Sequence, residues 1–139
     1  MKDKIRQIES FILDMDGTIY LGNELFDYTQ DFLKTVEETG RKYYFFTNNS
    51  SKSQQAYIDK LAGMGIMIRP EQMMISSHVM IQYLKQHHPG ESLYVVGTPS
   101  LLKEFEAYDM PLTEIDPDIV ILGFDTTLTY EKMSKACHY

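Results

Sequence analysis

Phe11-Ile12-Leu13-Asp14-Met15-Asp16-Gly17-Thr18 is the stretch on which the fold turns. An apolar run from Ile8 to Leu13 has the length of a buried strand, and it stops abruptly at two carboxylates, a glycine and a hydroxyl. In open α/β sheets, ligands bind outside the carboxyl ends of the strands. The run therefore predicts a strand that delivers Asp14 and Asp16 to a site.

Working outward, strand-length apolar runs alternate with segments of helical period, the signature of a parallel sheet with helical crossovers. The fold class is α/β. Gly17 to Phe26 reads as a flap with a short hairpin around Gly22-Asn23. Phe32, Leu33 and Val36 share one helical face between Thr29 and Glu38, and Gly40 suits the position after that helix. Lys42-Tyr43-Tyr44-Phe45-Phe46 is an aromatic strand ending at Thr47.

Ser51 or Ser53 can cap the next helix, where Tyr57, Leu61 and Met64 are spaced for one buried face. Met73 to Ser76 reads as a third strand, and a helix from about Ser77 to His87 stops at Pro89-Gly90. Leu93 to Val96 and Ile119 to Leu122 read as strands around a helix marked by Leu101, Leu102 and Phe105. A last helix begins near Tyr130. The expected division is residues 1–77 for one domain and 78–139 for a second.

Composition narrows the function. The chain has 139 residues, 13 basic against 20 acidic side chains and a net charge of -7, a balance that disfavours nucleic-acid binding through phosphate attraction. No stretch approaches the roughly 20 apolar residues of a membrane span, and the N-terminus shows no signal h-region. A cytoplasmic location and no membrane partner are expected. The single cysteine, Cys137, cannot form an internal disulfide. His87-His88 reads as a helix terminus favoured by the dipole. Gly97-Thr98-Pro99-Ser100 lacks the glycines and lysine of a phosphate loop.

Two carboxylates two residues apart on a turning backbone can face one pocket and divide labour, one attacking as the ion and the other donating a proton. Acidic pairs in loops also cap turns or hold structural cations. A calcium loop of the EF-hand type fails on spacing, because Thr18, Ile19 and Leu25 stand where it needs an acid or amide, glycine and glutamate.

The string Phe11 to Thr18, followed after the next strand by Phe45-Phe46-Thr47-Asn48-Asn49-Ser50-Ser51, resembles motifs I and II of the haloacid dehalogenase superfamily. The resemblance is to the branch of 4-nitrophenylphosphatase-like and phosphoglycolate-phosphatase-like enzymes, and it runs over essentially the whole chain. It implies a Rossmann-like core, with its first three parallel strands in residues 1–77, and part of an inserted α/β cap in residues 78–139. It further implies a Mg²⁺-dependent phosphatase acting on small phosphorylated metabolites.

Carried over by position, the resemblance makes Asp14 the nucleophile that forms an aspartyl-phosphate and Asp16 the general acid and base. Thr47 and Asn48 bind the transferring phosphoryl group, Gly17 and Thr18 support the loop, and Asp125, in the cap, bears on substrate choice. Asp14 and the main-chain carbonyl of Asp16 are the implied Mg²⁺ ligands. A hydroxyl and neutral amides can hold phosphate oxygens without neutralising Asp14. The dianionic phosphate and the Asp14 carboxylate repel, which calls for a hard cation between them.

The branch also uses a lysine and an acidic pair that follow the cap, and the chain stops before either. The expectation is that the 139-residue chain alone is inactive. It also predicts a sheet edge exposed along Ile8 to Leu13, open to self-association or to a complementary C-terminal fragment. A degenerate phosphatase-like binding or interaction module is the alternative reading.

Overall fold

The computed structural model describes residues 7–139. The first six residues of the N-terminal stretch scanned for a signal segment lie outside the described residues. Strand β1 (Ser10–Asp14) pairs in parallel with β4 (Lys42–Thr47), in a register that sets Phe11 beside Tyr43 and Asp14 beside Phe46. With β5 (Met73–Ile75) they form a three-stranded sheet in the order β1-β4-β5. The aromatic run alternates as a pleat demands: Tyr43, Phe45 and Thr47 are buried.

Between β1 and β4 the chain makes the expected hairpin. β2 (Tyr20–Leu21) and β3 (Glu24–Leu25) pair antiparallel around Gly22-Asn23. Gly22 at φ 62 takes the first turn position, which only glycine occupies without strain. Helix α1 (Thr29–Glu38) then buries Thr29, Leu33 and Val36, while Phe32 meets Phe11 of β1 edge-on at 5.7 Å. Its end is a Schellman motif: Gly40 sits at φ 71, its N–H donates to Glu37 O, and Arg41 N–H reaches back to Val36 O.

Helix α2 (Gln54–Gly63) ends in the same way one turn beyond its last apolar contact. Gly65 at φ 83 donates to Ala62 O and Ile66 donates to Leu61 O. The third buried apolar position expected at Met64 is filled instead by Ile66, because the motif brings that residue back over Leu61.

The chain divides into two compact units, Met1–Thr47 with Gln54–Met74, and Asn48–Ser53 with Ile75–Tyr139. The second contains α3 (Ser76–His87), β6 (Leu93–Val96), α4 (Pro99–Ala107), β7 (Ile119–Leu122) and α5 (Tyr130–His138). β6 and β7 pair in parallel, Leu93 beside Ile119 through Val96 beside Leu122. Ile81 and Leu84 of α3 pack with Leu93, Val95, Leu101, Phe105 and Met110 as its core. Thr98 caps α4 by accepting from Leu101 N–H, and Pro99 opens the helix, where a missing N–H costs nothing.

Two boundaries shift. β1 starts at Ser10 rather than Ile8, although Lys42 N–H still donates to Glu9 O at 2.9 Å. Ser76 belongs to α3 and not to β5; its hydroxyl donates to the Asn48 carbonyl at 3.2 Å. Among the described residues, no helix is long and apolar enough to cross a membrane.

Candidate active site

The site is built where β1 and β4 end side by side. Asp14 is the last residue of β1 and pairs with Phe46 in the parallel register, and Thr47, the last residue of β4, lies one residue beyond that pair. Past Asp14 the chain turns at once. Thr18, Ile19 and Tyr20 N–H groups all donate to the single carbonyl of Met15, at 3.1, 2.8 and 3.3 Å. Gly17 N–H donates to Tyr20 O at 2.8 Å, and Gly17 holds φ 81, where a side chain would be strained.

This turn explains the spacing of the acids. Met15 is fully buried and anchors the loop in the core, while Asp14 and Asp16 on either side stay exposed. Thr18 is exposed, and its part in the loop is played by its carbonyl, which accepts from the Tyr28 hydroxyl at 2.8 Å. The adjacent Thr29 hydroxyl, buried, donates to Ile19 O at 2.7 Å. Tyr28, which caps α1, and Thr29, which opens it, thus clamp the loop through two main-chain carbonyls.

Tyr20, Tyr28 and Thr29 are the residues that sequence reasoning missed. Only Thr29 left a signal, as a hydroxyl residue at a helix start. The Tyr20 side chain is buried. Burial pushes its hydroxyl well above the ordinary tyrosine value, with the Asp16 charge, Tyr57, the Asp14 charge and a hydrogen bond to the Asp16 side chain adding to the shift. The Lys60 ammonium sits over its ring, 3.8 Å from the centroid. Tyr20 is therefore a neutral donor beside the two acids.

Asn48 follows Thr47 directly and belongs with the second compact unit. Within that unit its loop is held at three points. Ser76 Oγ donates to Asn48 O, Thr98 Oγ1 to Ser51 O at 2.9 Å, and Phe124 N–H to Ser50 Oγ at 2.8 Å. Ser51 N–H also closes on Asn49 Oδ1 at 3.0 Å.

Asp125 lies in the second unit. Its side chain is only 2% exposed and its Oδ2 meets Lys132 Nζ at 2.7 Å, while its Oδ1 accepts from Thr127 N–H and Oγ1, both at 2.7 Å. Burial would raise this carboxyl, but the Lys132 and Thr127 hydrogen bonds and the Lys132 charge together hold it below the usual range. Lys132 Nζ also donates to Gly97 O at 2.9 Å, tying α5 to the end of β6. Beside this pair is an apolar cavity of about 780 Å³, lined in part by Val96, Val120, Leu122, Leu128 and Met133.

Asp14 and Asp16 are two exposed hard-oxygen donors two residues apart on one turn, and Mg²⁺ is typically held by one or two carboxylates together with phosphate oxygens and water. The residues present fit that cation. Among the described residues, no group of three or more His, Cys, Asp or Glu forms a closed metal cage.

Comparison with known proteins agrees with this geometry. Residues 11–111 match the family model described as haloacid dehalogenase-like hydrolase. The chain is 30% identical over 133 residues to a 5′-nucleotidase of Bacillus subtilis, covering 96% of this chain and 52% of that protein. It is also 30% identical to an acid sugar phosphatase of Staphylococcus aureus, covering 95% and 51%. A solved 4-nitrophenylphosphatase of Thermotoga maritima superimposes with a TM-score of 0.89 at 43% identity, over 94% of this chain and 50% of that one. The chain spans about half the length of the curated relatives it matches. The mixed α/β fold, the carboxylate pair closing the first parallel strand and the family match lead to one assignment: the chain belongs to the haloacid dehalogenase-like hydrolases.

Proposed function

We propose that the chain carries the nucleophile-bearing part of a Mg²⁺-dependent phosphomonoesterase that acts on small phosphorylated metabolites. The observation that carries this reading is the placement of Asp14 and Thr47 at the ends of adjacent parallel strands, one residue apart in register, with Asp16 presented by the turn that follows Asp14. Residues 1–77 serve as the N-terminal part of the core and 78–139 as the first part of the cap.

Asp14 Oδ attacks phosphorus in line with the departing oxygen, forming an aspartyl-phosphate, while Asp16 gives its proton to that oxygen as the P–O bond breaks. The Asp16 carboxylate then takes a proton from water, which attacks the aspartyl-phosphate and releases phosphate with Asp14 restored. The Thr47 hydroxyl and Asn48 orient the phosphoryl oxygens. Asp14 and the Asp16 carbonyl would hold Mg²⁺, which would supply screening of the charge between carboxylate and phosphate. Asp125 bears on leaving-group choice by fixing Lys132 and the 123–129 loop rather than by touching the ester. The relatives' names, a sugar phosphatase, a nucleotidase and a nitrophenylphosphatase, support small phosphomonoesters as the substrate class.

The test is Mg²⁺-dependent release of 4-nitrophenol from 4-nitrophenyl phosphate, by this chain and by a polypeptide continued through its natural reading frame, each beside Asp14→Asn. The expected result is activity in the longer polypeptide that Asp14→Asn lowers by roughly a thousandfold or more. Undiminished turnover in Asp14→Asn would refute Asp14 as nucleophile.

A further inference from the structure

Helix α4 carries an acid where its packing calls for a hydrocarbon. Its buried residues are Leu101, Glu104 and Phe105, one stripe at helical spacing, and the Glu104 side chain is only 7% exposed. A buried carboxylate is costly unless its oxygens are paired, and an apolar residue of similar volume often serves stability as well or better. Both oxygens of Glu104 are engaged, and both by α3. Oε2 accepts from Ser77 Oγ at 2.8 Å, and Oε1 meets His78 Nε2 at 2.7 Å. Tyr108, at the end of α4, packs its ring against the His78 ring at 5.5 Å. Ile75 heads α3 without a side-chain cap, so the first turn of α3 is gripped from outside, by Glu104.

That turn is the one that reaches the Asn48 loop. The Ser76 hydroxyl donates to the Asn48 carbonyl at 3.2 Å, and Thr98, at the head of α4, donates to Ser51 O at 2.9 Å. Residues 48–51 are thus suspended between the starts of α3 and α4, and Glu104 ties those two helices to each other.

We propose that Glu104 is a positioning residue for phosphate: by holding Ser77 and His78 it fixes α3 against α4 and, through Ser76, the main chain at Asn48. The inference rests on the phosphatase reading, which gives the phosphoryl oxygens to Asn48. Glu104 itself touches neither the ester nor the nucleophile. Its charge is kept at a core position because the loop needs that geometry, the pattern expected where the fold around a site serves orientation before stability.

The experiment uses three substitutions. Glu104→Leu fills the volume and removes both bonds, Ser76→Ala removes the link to Asn48 alone, and Leu84→Val, in the core further along α3, controls for lost stability. In the polypeptide continued through its natural reading frame, Glu104→Leu and Ser76→Ala are each expected to raise the Ki of inorganic phosphate and the KM for 4-nitrophenyl phosphate by roughly threefold to tenfold, with kcat within about twofold of wild type. The double variant is expected to be no worse than the worse single one, since both act on one link, and Leu84→Val is expected to lower Tm without moving Ki. In the 139-residue chain without ligand, amide hydrogen exchange across residues 48–53 is expected to be faster in Glu104→Leu and Ser76→Ala than in wild type and Leu84→Val. An unchanged Ki in either single variant, additive losses in the double, or an equal rise in Leu84→Val would each overturn the proposal. If the continued wild type neither hydrolyses the ester nor binds phosphate, the phosphatase reading fails, and exchange decides the clasp by itself: faster exchange in both variants upholds it, and unchanged exchange overturns it.

Discussion

Replacing Lys132 by Met tests whether the second unit depends on the pair it makes with Asp125. The substitution keeps the stem and removes the ammonium, which contacts Asp125 Oδ2 at 2.7 Å and Gly97 O at 2.9 Å. A charged hydrogen bond contributes about 1.5–3 kcal/mol and a neutral one about 1 kcal/mol. Breaking a fully buried pair costs about 3–5 kcal/mol, and Lys132 is 28% exposed, so water can replace part of what is lost. Asp125 also keeps its two bonds from Thr127. The expected cost is roughly 2–4 kcal/mol; at about 3–5 °C per kcal/mol for a chain of this size, Tm falls by roughly 6–20 °C. Asp125→Asn on the Lys132→Met background should recover part of the loss, because it removes the stranded charge. The sign with pH is fixed: the Asp125 carboxyl is held below its usual 3.8, so its contribution is present above that value and lost as pH falls below it. The gap between wild type and Lys132→Met therefore narrows in acid. Thermal unfolding of the four proteins across pH measures all of this. A cost under about 1 kcal/mol, or an Asp125→Asn effect equal in both backgrounds, would refute the reasoning.

Two other outcomes follow from packing and titration. Gly123→Ala places a Cβ 2.4 Å from Leu101 Cδ2, 3.1 Å from the Val96 carbonyl and 3.2 Å from Ser50 Oγ; Leu101 is buried and Val96 O is backbone, so urea unfolding should show a loss of roughly 1–3 kcal/mol with m unchanged. Tyr43 is pushed up to about 12 by burial and by its hydrogen bond to Glu37 Oε1 at 3.0 Å. Its contribution is whole below the ordinary tyrosine value of 10.0 and lost as pH climbs towards 12. Tyr43→Phe should flatten that alkaline fall in stability and reduce the late step of an absorbance titration by one tyrosine.

The fold was legible because its signals are local. Helix α1 runs over Thr29–Glu38, as its apolar spacing and Gly40 require, and β6 and β7 match their apolar runs residue for residue. The candidate site was half legible. A strand that ends in two acids advertises Asp14 and Asp16, and the next parallel strand must end at Thr47 beside them. The clamps were not legible, since Tyr28 and Thr29 act on the carbonyls of residues 18 and 19, and a carbonyl has no signature in a sequence. The Asp125–Lys132 pair was hidden for a related reason: six residues lie between the partners, across a loop and the start of α5, and only the folded loop brings them into contact.

The placement of the two acids owes more to backbone than to side chains, and this decides where the site can vary. Three N–H groups converge on Met15 O, Gly17 holds a conformation closed to other residues, and α1 grips two further carbonyls. None of these bonds depends on what Asp14 or Asp16 is doing chemically, so the loop is fixed before any ligand arrives. Fixed geometry of this kind supplies orientation at no cost during reaction. Asp14→Asn should therefore silence the chemistry and leave the loop intact. A change at Tyr28 or Thr29, neither of them an acid, base or nucleophile in the proposed reaction, should loosen both acids together.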